Sequence, residues 1–129
     1  MSIKCLIAEN AAFIRQIYRL NLQSVPDLEV VAEAQDGAEA LRLLGEIKPQ
    51  LLILELVLPK KSGVEVLQAL HDISPDTKVI VISSLDDDEA KKRAKALGVL
   101  AYLPKPFTRA QLLGAVEEAC RTYAGVQNG

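Results

Sequence analysis

The sequence is short of the residues from which most metal and redox sites are built. It has two cysteines, Cys5 and Cys120, and a single histidine, His71. The cysteines form no metal motif and both lie in apolar-patterned segments. Two reduced, buried thiols are expected, as in a cytoplasmic protein. One imidazole excludes a histidine-based metal site. His71 falls in the last turn of a predicted helix, where the helix dipole favours a surface position. An excess of charge is also missing. Fifteen Lys and Arg face 17 Asp and Glu, a net charge of −2, which gives no argument for nucleic-acid or membrane binding. No apolar run approaches the length of a membrane span, and the start Met-Ser-Ile-Lys-Cys lacks a signal-peptide layout, so a cytoplasmic location is expected. Repeats, low-complexity segments and long linkers are absent as well. What remains is one domain's worth of chain, 129 residues with 50% apolar and 25% charged, enough to bury a full core.

The stretch from Leu51 to Gly63, Leu-Leu-Ile-Leu-Glu-Leu-Val-Leu-Pro-Lys-Lys-Ser-Gly, organises the rest. An unbroken apolar run of this kind reads as a strand buried on both faces, as in a parallel sheet covered by helices. Glu55 stands near its exit, and Pro59 and Gly63 turn the chain. Around this strand the pattern alternates. Strands are predicted at Ile3–Ala8, Leu28–Ala34, Lys78–Ser83 and Leu100–Leu103. Helices are predicted from an Asn10 cap to about Ser24, from the Asp36/Glu39 box to Ile47, from Ser62/Glu65 to about Asp72, from Asp86/Glu89 to Gly98, and from Thr108/Gln111 to about Tyr123. Residues 124–129 read as a flexible tail after a domain spanning 1–123. Five strands alternating with five helices predict a doubly wound α/β fold with a five-stranded parallel sheet.

Ligands of such sheets bind beyond the carboxyl ends of the strands. Glu9-Asn10 follows the first strand, Glu55 the third, Ser83-Ser84 the fourth and Lys105 the fifth. Carboxylates, a hydroxyl and a lysine at one edge suit a phosphoryl group with a divalent cation. A carboxylate that merely reaches water is the plainer alternative for Glu55 taken alone.

These motifs, at these spacings, resemble the receiver domain of two-component response regulators over about Ile3 to Ala119. Ile7-Ala8-Glu9-Asn10 stands at the family's acidic pair. Leu54-Glu55-Leu56-Val57-Leu58-Pro59, with Gly63 beyond, stands at its phospho-accepting aspartate. Val81-Ile82-Ser83-Ser84 stands at the strand ending in the switch hydroxyl, and Tyr102-Leu103-Pro104-Lys105-Pro106-Phe107 at the last strand and its Lys-Pro corner. The resemblance implies the flavodoxin-like sheet order 2-1-3-4-5, Ser83 and Tyr102 as switch residues, Lys105 as the phosphate-contacting lysine and a cis peptide before Pro106. It implies a cytoplasmic, bacterial signalling module rather than an enzyme, with no catalytic residues of its own.

Two departures qualify it. The acceptor position holds Glu55, with an extra methylene, and the second acid of the pair is replaced by Asn10. The Glu9, Asn10 and Glu55 pocket therefore keeps two carboxylates where the family has three, so Mg²⁺ binding is expected to be weak. Phosphoryl transfer depends on positioning, and a shift of around an ångström can cost about a hundredfold. The expectation is a pseudo-receiver that works independently of phosphorylation or is impaired in it. Glu55 then either reaches Ser83 or Lys105 and imitates the phosphorylated state in part, or pairs with Lys105 and fixes one inert shape.

By resemblance the partner is a protein: a histidine kinase, an output domain or a downstream signalling protein. It would be met on the face of the fourth helix, fifth strand and fifth helix, which is also where two copies would pair as a homodimer. The fourth helix is acidic at its start and basic later, with Asp88–Lys92 and Glu89–Arg93 at i,i+4 spacing, a structural pattern as well as a docking one. Val57 and Leu85 are read as pocket rim. Three alternatives stand beside this reading. One is a genuine Mg²⁺-dependent phosphorylated regulator. Another is a nucleotide binder, which the Ala11-Ala12-Phe13-Ile14-Arg15 stretch argues against because it is no glycine-rich phosphate loop. The last is a receiver fragment of a DNA-binding regulator; with no helix-turn-helix after Tyr123, this chain itself is not expected to bind DNA.

Overall fold

The computed structural model describes residues 2–85 and 87–128, of which 124–128 are described as backbone. The elements are β1 (Ile3–Ala8), α1 (Ala12–Leu22), β2 (Leu28–Ala34), α2 (Gly37–Ile47), β3 (Leu51–Leu54), α3 (Gly63–Ile73), β4 (Lys78–Ser83), α4 (Asp88–Ala96), β5 (Ala101–Pro104) and α5 (Arg109–Asn128). All strand pairs are parallel, as the alternating pattern predicts, and the order is β2-β1-β3-β4-β5, as the resemblance implies.

The two-residue side-chain period of a strand divides the core into two layers. Leu6, Ala8, Leu52, Leu54, Val79 and Val81 face α2, α3 and α4. Cys5, Ile7, Leu51, Ile53, Ile80 and Ile82 face α1 and α5. The central strands β1, β3 and β4 are therefore apolar on both faces, which is why their sequences run rather than alternate. Tyr18 of α1 is buried in the second layer and stacks on Phe107, ring centroids 5.4 Å apart.

Several boundaries differ from the sequence expectation. β3 stops at Leu54, although the apolar run continues. The chain leaves the sheet at Glu55, yet Leu56 stays 3% exposed because it plugs the layer under α2 and α3. The apolar run thus joins a strand to a buried loop residue. α1 is not capped by Asn10. Its cap position is Ala11, whose N–H donates to the Glu9 carboxylate at 2.9 Å. The predicted Asp86 cap of α4 lies outside the described residues; Asp87 Oδ1 accepts from the Glu89 N–H at 3.0 Å. The pairs Asp88–Lys92 and Glu89–Arg93 are not among the ion pairs of the described residues, whereas Arg42–Glu46 and Lys61–Glu65 are i,i+4 pairs. α5 continues past Tyr123 to Asn128, since no proline stops it, and Gly129 of the predicted tail lies outside the described residues.

The other caps follow the sequence. Asp36 accepts from Glu39 N–H, Ser62 from Glu65 N–H, and Thr108 and Gln111 bond each other's backbone N–H reciprocally. Gly98, with φ +85°, ends α4 in the left-handed region that favours glycine.

Candidate functional site

The carboxyl ends of β1, β3, β4 and β5 bring Glu9, Glu55, Ser83 and Lys105 into one pocket. Glu9 and Glu55 are 2% and 3% exposed, so each charge needs partners inside the protein. Lys105 provides the common one. Its ammonium donates to Glu9 Oε1 at 2.5 Å and to Glu55 Oε1 at 2.9 Å. The backbone fixes it there: Lys105 N–H donates to the Ser83 carbonyl at 3.0 Å, and the Lys105–Pro106 peptide is cis.

Glu55 is the most heavily bonded group in the pocket. Its Oε2 accepts from Ser83 Oγ at 2.5 Å and from Val57 N–H at 3.0 Å. Its Oε1 accepts from Ser84 N–H and Ser84 Oγ, both at 3.2 Å, besides Lys105. Burial pushes the carboxyl up, but the bonds from Ser83, Lys105, Val57 and Ser84 outweigh it and hold the group below the usual carboxylate range. Lys105 shows the converse balance. Burial alone would lower its ammonium, and the bonds and charges of Glu9 and Glu55 hold it above the usual lysine range.

The signs set a pH window. A carboxylate whose folded pKa is depressed contributes stability above its unfolded pKa and loses it as pH falls through the folded value. A lysine whose folded pKa is raised contributes below its unfolded pKa and loses it as pH rises through the folded value. The network should therefore add a flat plateau of stability from about pH 5 to about pH 10. Urea midpoints measured across that range test it; a slope centred on neutral pH would contradict it.

From the pocket a second chain of bonds leads outward. Ser83 Oγ, while donating to Glu55, accepts from Leu85 N–H at 3.1 Å. The Leu85 carbonyl accepts from the Tyr102 hydroxyl at 2.9 Å. Tyr102 is half-buried on β5, and the Lys91 ammonium of α4 lies 5.9 Å from its ring centroid. One continuous path thus runs from Glu55 to the surface between α4 and β5.

Asn10 does not join this pocket. It is exposed, and it takes part through its backbone carbonyl, which accepts from Arg15 at 3.1 Å. Ser84, placed at this edge with Ser83 by the sequence, bonds Glu55, whereas Arg15 and the Val57 N–H are contributors that spacing did not reveal. A backbone N–H has no sequence signal, and Arg15 comes from a helix otherwise read only for its apolar face. The donors present suit Mg²⁺ poorly. Two carboxylates remain, and an ammonium bridges them.

This fold and this pocket define a class, and comparison with known proteins gives it a name. The model of the response regulator receiver domain matches residues 5–117, so the chain belongs to that family, the receivers of two-component signalling. It is 33% identical over 119 residues to the chemotaxis protein CheY of Listeria monocytogenes, covering 92% of this chain and 99% of that one. It is 36% identical over 126 residues to a protein-glutamate methylesterase/protein-glutamine glutaminase of Geobacter sulfurreducens, covering 96% of this chain but 34% of that protein. The chain thus spans about a third of that relative's length. Among solved structures, the REC domain of AraT from Geobacillus stearothermophilus superposes with a TM-score of 0.91 at 31% identity, covering 98% of this chain and 99% of that one. No helix among the described residues is long and apolar enough to cross a membrane.

Proposed function

We propose that this receiver signals without phosphorylation, because Glu55 does with its own carboxylate what a phosphoryl group does elsewhere in the family. One observation carries the reading: a single side chain engages the Ser83 hydroxyl, the Lys105 ammonium and the N–H groups of Val57 and Ser84 at once. The donors that would neutralise a phosphoryl group are already taken. The extra methylene of glutamate provides the reach, and the Ser83–Leu85–Tyr102 path carries the state to the surface. A carboxylate has one charge and two oxygens, so the imitation is partial, and the domain rests in a fixed conformation rather than a switchable one.

Its output is a protein contact on the α4–β5–α5 face, where Tyr102 reports the pocket and Lys92, Arg93 and Lys95 are exposed. It makes no nucleic-acid contact of its own and works in the cytoplasm.

The test is Glu55→Ala, followed by amide and aromatic NMR. Loss of the carboxylate should release Ser83 and move both the Leu85 amide and the Tyr102 ring signals, while signals of the remote β1–β2 pairing stay in place. Unmoved Leu85 and Tyr102 signals would show that Glu55 only pairs with Lys105 and sets no output.

A further inference from the structure

The corner between β5 and α5 delivers Lys105 to the two carboxylates, and what holds that corner lies outside the pocket. Phe107 stands two residues past Lys105, beyond the cis peptide and immediately before Thr108, the cap of α5. An apolar residue in that place fixes the angle at which the chain enters a helix. The Phe107 ring stacks on Tyr18 of α1, with centroids 5.4 Å and planes 17° apart, within the range of stacked aromatic pairs. Tyr18 is 1% exposed. Its side chain, like others on a helix, leans back toward the helix N-terminus, which here is the pocket end. Burial first, and then the charges of Glu9 and Glu55, push its hydroxyl's pKa up, in keeping with that place. On its outer side the corner is not packed. A groove of about 430 Å³ opens there between Phe13, Ile14 and Ile17 of α1 and the Pro106-Phe107 pair. A second clasp is exposed to water: Arg109 donates to Asn21 Oδ1 at 2.7 Å and to Ser24 Oγ at 3.2 Å, at the end of α1.

We propose that Tyr18 is a positioning residue: its ring, acting through Phe107, sets the corner that presents the Lys105 ammonium to Glu9 and Glu55. This rests on the reading of Glu55 above and deepens it. Glu55 keeps its full set of donors only while Lys105 stays 2.9 Å away, and α1 governs that distance. A displacement of α1 therefore reaches Glu55 along Tyr18, Phe107 and Lys105, a route that involves no phosphoryl group. The ring performs this role and the hydroxyl does not, since the contact with Phe107 is a stack.

The test follows amide hydrogen exchange and the Lys105 ammonium NMR signal in the wild type, Tyr18→Phe, Tyr18→Leu, Phe107→Leu and Leu70→Ala. Leu70 is buried in the opposite layer and serves as the control for general loosening. Tyr18→Leu should speed exchange of the Lys105 N–H, which bonds the Ser83 carbonyl, about two- to tenfold beyond the change in global stability, the contribution of one aromatic pair. The ammonium signal should shift with it. Phe107→Leu breaks the same pair from the half-buried side and should give the same result, and the double variant should add nothing further. Tyr18→Phe keeps the ring and should match the wild type. Leu70→Ala should lower the melting midpoint and leave the Lys105 signals in place. Unmoved Lys105 signals in Tyr18→Leu or Phe107→Leu, additive effects in the double variant, a change in Tyr18→Phe as large as in Tyr18→Leu, or an equal change in Leu70→Ala would overturn the assignment. Lys105 also bonds Glu9, so the same signals can be read in a Glu55→Ala background. There Tyr18→Leu should act on Lys105 whether or not Leu85 and Tyr102 respond to Glu55, and the two readings fail separately.

Discussion

Lys105→Met should cost the domain about 3–5 kcal/mol at neutral pH, the usual penalty for removing one partner of a buried ion pair. Methionine keeps the length and apolar stem of lysine, so little packing is lost. What it loses is the ammonium between Glu9 and Glu55, which are 2% and 3% exposed. Two buried carboxylates are then left facing the same space without their shared cation, and the Glu55 carboxyl is pushed up. The sign follows. A carboxyl whose folded pKa lies above its unfolded value destabilises the protein at neutral pH, and the penalty disappears as pH falls and the proton is taken up. The wild type behaves oppositely, because the depressed Glu55 carboxyl loses stability in acid. The urea midpoints of the two proteins should therefore diverge at neutral pH and converge below about pH 5. A difference that is small, or that does not change with pH, would mean that the three charges are not coupled.

The second large effect is expected at Gly63→Ala, outside the pocket. A Cβ at Gly63 would lie 2.5 Å from the Leu56 Cα and 2.6 Å from the Glu55 carbonyl oxygen. Both are backbone atoms, and the Gly63 N–H to Leu56 carbonyl bond of 2.8 Å holds them there. The loop from Glu55 to Gly63 closes on itself, and the space for a methyl group does not exist. Overpacking of this kind costs about 1–3 kcal/mol. Because the strain falls on Glu55 and Leu56, the Val57 N–H and the Glu55 carboxylate must shift together. The melting midpoint should fall and the Ser83 and Leu85 amide signals should move with it. Gly114 in α5 is the control. Nothing lies within 4 Å of a Cβ there, so alanine should be neutral or slightly stabilising in the helix. Equal behaviour of the two variants would remove the steric account of the loop.

How far these features could be read from the chain depends on their physical range. Capping is local, so Asp36/Glu39, Ser62/Glu65 and Thr108/Gln111 were legible as spacing and are seen as bonds. The parallel sheet followed from alternation, and its strand order from the motif resemblance. The end of β3 was not legible, because burial of Leu56 in a loop produces the same apolar letters as burial in a strand. Asn10 failed as a cap for a different reason: the helix begins one residue later, with Ala11 at the cap position and its N–H held by the Glu9 carboxylate, and Asn10 is left exposed. Spacing placed Glu9, Glu55, Ser83 and Lys105 at one edge, but the bond from Lys105 to Glu9 spans 96 positions and its geometry belongs to the fold. Arg15 was invisible for the same reason, since its partners are two carbonyls and a carboxylate on a different strand.

The central claim is that Glu55 occupies the place and partners of a phosphoryl group. The most direct measurement is an amide NMR titration of the wild type with Mg²⁺ and then with Mg²⁺ plus beryllofluoride, a mimic of the acyl phosphate. The account predicts that signals of Glu9, Glu55, Ser83, Leu85 and Lys105 stay where they are and that Tyr102 does not move. Saturable shifts at these residues, with Tyr102 following, would contradict it and return the domain to the ordinary phosphate-responsive receivers.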